Sequence, residues 1–126
     1  MFADLAAPVR ARMQANQLSE PAARLLVERG VRPVEGGFVW SSDPRLTLPT
    51  PQRLSEAQLA RLVAGIVCPT AVIYADPPQA YFPEPLRTQR AELLPDGRLH
   101  VLAGTHHLHM EDPAAVAARV LAFLRQ

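Results

Sequence analysis

The 126-residue chain is 48% hydrophobic, carries a formal net charge of +1 and contains one cysteine, which fits a single modest domain core. Its thirteen basic residues are all arginine, scattered from Arg10 to Arg125, so no clustered basic footprint for nucleic acid is present. The lone Cys68 excludes an internal disulfide and a cysteine-based metal cluster, and no apolar run approaches the ~18 residues of a membrane span. With no signal peptide visible, a cytoplasmic location is expected.

Phe2, Leu5, Val9 and Met13 recur at helical spacing and predict an amphipathic helix over roughly the first fifteen residues. Ser19 is placed to cap a second helix, with Pro21 in its first turn, Leu25 and Leu26 facing inward and Gly30 as its stop. From Val31 to Trp40 the pattern becomes that of a loose hairpin turning at Gly36-Gly37, with Pro33 restricting its strand to an edge. Three prolines between 44 and 51 make that stretch a connector. The chain is accordingly divided into residues 1–54, helical with a hairpin and connector, and residues 55–126.

The second part opens on Ser55-Glu56-Ala57-Gln58, a capping-box pattern, followed by a stripe of Leu59, Leu62, Val63 and Ile66 and a stop at Gly65. Thr70 to Ala75 is apolar on both faces, which predicts a buried parallel strand ended by Asp76-Pro77-Pro78. A helix is expected over about residues 84–94, a turn at Pro95-Asp96-Gly97, a strand over 98–103 and a final helix from Asp112 to Arg125. That last helix sets Val116, Val120, Phe123 and Leu124 on one face. Strand, helix, strand implies a parallel pair with a right-handed crossover.

Three of the four histidines, His106, His107 and His109, follow the second strand on a glycine-bearing loop. Histidine exchanges protons near neutral pH, and a loop just past a buried strand is a natural seat for a general base. His106, His107, His109 and Glu111 also offer nitrogen and oxygen donors, but only His100 remains elsewhere to join them. No metal and no cofactor is therefore expected. His107 reads as a packing residue, His109 as a loop-ordering one, and Cys68 as an inert core thiol. Trp40 and Phe38 read either as core or as the lining of a substrate pocket. Arg45 reads as solvated or paired with Asp43.

Two stretches carry a family resemblance. Ile66-Val67-Cys68-Pro69-Thr70-Ala71-Val72-Ile73 leads into a strand, and Gly104-Thr105-His106 is followed by Glu111 and Pro113. Together these resemble the C-terminal end of an α/β-hydrolase. Upstream, Ser19 to Gly30, Gly36-Gly37-Phe38-Val39-Trp40 and Asp43-Pro44-Arg45-Leu46 resemble the cap region and connector of serine hydrolase-like proteins. The resemblance implies an α/β class and a partial α/β-hydrolase fold. In that fold a helical cap segment and hairpin precede a β-α-β-α unit with parallel strands. It implies that His106 is the triad base, that the acid is Asp76, with Glu84 and Asp43 as alternatives, and that Trp40 and Phe38 contact substrate.

The family's nucleophile turn, Gly-x-Ser-x-Gly, does not occur in these 126 residues. Ser19, Ser41, Ser42, Ser55 and Thr105 fall in caps, connectors or beside His106. The expected function is thus the C-terminal portion of an esterase- or lipase-like acyl hydrolase, inactive alone. It would act on a small ester only when joined by a nucleophile-bearing half. The alternative is a non-catalytic truncated remnant that self-associates or binds a partner. Two parallel strands lack neighbours and cover, so association is expected under both readings.

Overall fold

The computed structural model describes residues 1–50 and 52–126, and the chain divides into two compact units over 1–51 and 52–126. In the first unit, helix α1 (Ala6–Asn16) packs on α2 (Glu20–Gly30), followed by strands β1 (Val31–Val34) and β2 (Gly37–Trp40). The Asp4 carboxylate accepts from Ala6 N at 2.9 Å at the start of α1, and Gln17 ends it at φ 55°. The Ser19 hydroxyl accepts from Ala22 N at the start of α2, as its cap position requires.

Two expectations change in this unit. Phe2 is not helical: its N–H and C=O each bond to Phe38 at 2.8 Å, extending the hairpin, and its ring sits edge-on to Trp40 at 5.6 Å. Gly37 permits this approach, since at φ 148° a Cβ there would lie 2.1 Å from the Phe2 carbonyl oxygen. The buried face of α2 is Ala22, Ala23 and Val27, whereas Leu25 is exposed and Leu26 half-buried. The small alanines let α1 and α2 come close, and the i, i+4 row through Ala23 and Val27 is the one that faces in. The proline-rich connector holds a 3-10 turn over Pro44–Thr47, capped by Asp43; its last proline, at position 51, lies outside the described residues.

The second unit contains α3 (Glu56–Ala64), β3 (Thr70–Asp76), α4 (Leu86–Glu92), β4 (Gly97–Ala103), α5 (Leu108–Glu111) and α6 (Pro113–Leu124). Ser55 and Gln58 form the reciprocal capping box on α3. β3 and β4 pair in parallel from Thr70–Gly97 to Asp76–Ala103, and the Asp112 side chain caps α6 by accepting from Ala115 N at 3.1 Å. The unit is α/β, with a two-stranded parallel sheet.

Burial is lower than the sequence pattern predicts. Thr70 to Ala75 are half-buried, not buried, because β3 has one strand neighbour among the described residues. No residue of α3 or α6 is buried, so Leu62, Ile66, Val120 and Leu124 of the predicted stripes are exposed. Cys68, expected in the core, is exposed before β3 begins. The helix expected from residue 84 starts at Leu86, since Glu84 precedes Pro85 and a residue before a proline is disfavoured in the helical region. The short α5 has no counterpart in the sequence reading. Gly104, at φ 142°, turns the chain into it, and a Cβ there would meet Leu108 Cδ2 at 2.6 Å.

Candidate active site

The parallel ladder brings the C-terminal ends of β3 and β4 side by side, and Gly104 N donates to the Asp76 carbonyl at 2.9 Å just beyond it. The segments leaving the two strands enclose a cavity of about 330 Å³. Ile73, Tyr74 and Ala75 of β3 form its floor; Pro77, Pro78, Tyr81 and Phe82 of the exit loop form one wall. Leu108 of α5 and Val116 of α6 close the other side, with His106 and His109 at its edge. Leu108, buried by its fit against Gly104, anchors the histidine loop. The lining is thus mostly apolar with a few convergent polar groups, the usual make-up of a small-molecule site.

One of those polar groups had no clear signal in the sequence. Arg87, only 6% exposed, is the one charged residue in the core among the described residues. Its Nε donates to Glu84, its Nη1 to the Ala75 carbonyl, and its Nη2 lies 3.4 Å from Asp76 Oδ1. Its guanidinium also lies 5.7 Å from the centre of the Tyr74 ring. Tyr74 in turn meets Phe82 edge-on at 5.8 Å, and Arg90 stacks on Phe82 at 5.0 Å while binding Glu56 of α3. A buried cation needs this many partners to offset its lost hydration. The bond from Arg87 holds the Glu84 carboxyl below its usual pKa, and burial pushes the Tyr74 hydroxyl up. The only hint in the sequence was the i, i+3 spacing of Glu84 and Arg87, shared by many surface pairs.

The residues singled out from sequence are distributed as follows. His106 is exposed at the cavity edge, its ring 5.3 Å from that of His107, whose ring is 6.2 Å from His109. Asp76 ends β3 with a 60% exposed side chain turned to Arg87, and no hydrogen bond joins it to His106 among the described residues. Glu84 is engaged by Arg87 and by Thr88 N. Asp43, in the first unit, is gripped by Arg45, which holds its carboxyl below the usual range. Trp40 also belongs to the first unit, under the Arg12 guanidinium at 4.8 Å and beside a shallow depression with Arg32, Ser41 and Ser42. Phe38 pairs with Pro33 and Phe2. Among the described residues, no group of three or more histidine, cysteine or acidic side chains is arranged to hold a metal ion.

No family model matches the chain. Among curated proteins it is 26% identical over 122 residues to a serine hydrolase-like protein of Danio rerio. It is 29% identical over 117 residues to a probable serine hydrolase of Drosophila melanogaster. Each alignment takes in 86% of this chain and 35% of the relative. The thioesterase domain from the curacin biosynthetic pathway superposes with a TM-score of 0.79 at 28% identity, over 97% of this chain and 44% of that one. These similarities support an α/β-hydrolase family. A crystal structure of a hypothetical protein from Pseudomonas aeruginosa, 39% identical, follows 99% of this chain with a TM-score of 0.87 and is itself covered over 45%. The chain spans about a third of the curated relatives it matches and under half of these solved structures.

Proposed function

We propose that this chain supplies the general-base portion of a serine-type α/β-hydrolase acting on ester-type bonds. The observation that carries the reading is the placement of His106. It lies on the loop leaving the second strand of a parallel pair, at the edge of an apolar cavity built from the same strand ends. That is where open parallel sheets collect their ligands. An imidazole there takes the proton of an attacking hydroxyl and returns it to the leaving group. The attacking hydroxyl comes from a nucleophile-bearing partner half, since Gly-x-Ser-x-Gly is missing from these residues.

Asp76 is the best placed of the three acids. Glu84 has both carboxylate oxygens committed, and Asp43 is held in a fork by Arg45. Asp76 has a single long contact to Arg87, which leaves acceptor capacity for an imidazole N–H.

The edge of β3 that no strand pairs among the described residues and the exposed Leu99, Val101, Leu121 and Leu124 support association with that half, or with a second copy of the chain. The second copy is the form the alternative reading takes, in which the chain is a non-catalytic, self-associating remnant.

Hydrolysis of a short-chain p-nitrophenyl ester tests the proposal. The chain alone should show no turnover above its His106→Ala variant. Added to a separately expressed N-terminal half of an α/β-hydrolase bearing a Gly-x-Ser-x-Gly turn, it should restore turnover. His106→Ala should then remove that activity by roughly 10⁴-fold or more. Turnover by the chain alone that vanishes in His106→Ala would overturn the need for a partner. Reconstituted turnover indifferent to His106→Ala would overturn the base assignment.

A further inference from the structure

The cavity beside His106 has a selectivity written into its one guanidinium. Its volume of about 330 Å³ is roughly twice that of a ~150 Å³ cavity able to hold one benzene ring. It therefore has room for a substituted aryl group or a medium-length acyl chain. Ile73, Phe82, Leu108 and Val116 give such a group apolar contact.

Arg87 is the only arginine of the lining among the described residues, and its charge is already spent. Three of its five N–H donors end on Glu84, the Ala75 carbonyl and Asp76, so two carboxylates face one guanidinium. A carboxylate ligand entering here would lose hydration and meet no unpaired cation from Arg87. The imidazoles of His106 and His109 and the Gln79 amide can each donate a hydrogen bond to a neutral carbonyl oxygen.

We propose that this cavity binds the uncharged aryl or medium-chain acyl part of an ester-type ligand and rejects its carboxylate analogue. The Arg87–Glu84–Asp76 cluster sets that preference. The inference rests on the cavity being the substrate site of the proposed hydrolase, but its test reads binding and not turnover.

The chain is titrated with benzylacetone and, separately, with the 3-phenylpropionate anion. The titrations are run at about pH 8, where an ordinary imidazole is neutral. The methyl signals of Ile73, Leu108 and Val116 report occupancy. Benzylacetone should shift all three and saturate, and the anion should bind at least about tenfold more weakly. Glu84→Gln, at a partly exposed position, removes one negative charge while keeping an amide oxygen that can still accept from Arg87 Nε. The gap between the two ligands should then close to about threefold or less. Val116→Phe should fill the cavity and abolish the shifts at Ile73 and Leu108, with Glu84→Gln deciding the matter if that variant does not fold.

Equal binding of the two ligands, no binding of benzylacetone, or an unchanged gap in Glu84→Gln would overturn the inference. Intact discrimination in a chain that never hydrolyses an ester, even when reconstituted, would overturn the hydrolase reading alone. Reconstituted, His106-dependent hydrolysis with no discrimination would overturn the selectivity alone.

Discussion

In the first unit Pro8, Val9, Leu18, Ala22, Ala23 and Val27 are all buried, whereas the second, longer unit buries only Arg87, Ala91 and Leu108 among its described residues. The two differ little in the supply of apolar side chains. They differ in what their elements find to pack on. A pair of packed helices with Ala22 and Ala23 on the buried face of α2 closes on itself, because small residues let backbones approach, and Val27 is fully shielded. A parallel strand pair needs a neighbour on each edge and cover on both faces, and among the described residues β3 has one neighbour and α6 no buried residue. Side chains that a complete sheet would cover, such as Val101 and Leu121, stay exposed. The second unit keeps its order at the strand ends through a polar device instead, the Arg87 cluster.

The comparison predicts where substitutions hurt most. Gly37→Val should have the largest effect: its Cβ would collide with the Phe2 carbonyl at a φ that L-residues avoid. A loss of about 3 kcal/mol or more is expected, read by urea unfolding and by loss of amide protection at Phe2 and Phe38. Val27→Ala opens a void in a fully shielded position and should cost about 2 kcal/mol, seen as faster exchange in α1 and α2. If exchange there does not change, the first unit is not closed in the way described.

In the second unit the caps and the charge cluster are the points to attack. Ser55→Ala removes one arm of the capping box and should cost about 1 kcal/mol, visible as fraying of α3. The Glu84 carboxyl sits below its usual value of 4.5 because it accepts from Arg87. A group depressed in the folded state stabilises above its unfolded pKa, and that stability is lost as pH falls through the folded value. The melting temperature of the chain should therefore decline on acidification below about pH 4.5, and Glu84→Gln should flatten that decline. An equal decline in the variant would place the acid sensitivity elsewhere. Smallest of all should be Arg45→Ala, whose pair with Asp43 is surface-exposed and screened by salt. Its thermal midpoint should match the parent within error at physiological ionic strength.

Local signals in the sequence determined most of the elements. Ser19, Ser55 and Asp112 announce their helices because a cap is a contact over three residues. The strand-helix-strand order announces the parallel pair, and the glycine-bearing loop after β4 announces the seat of His106. What the tertiary structure alone decided was which apolar stripes find cover, that Phe2 joins a hairpin thirty-odd residues away, and that Arg87 is drawn into the core to bind Glu84, Ala75 and Asp76. Caps, turns and periodicity are fixed by neighbours along the chain. Burial and the partners of a buried charge depend on residues that meet only after the chain has folded, and no spacing in the sequence encodes that meeting.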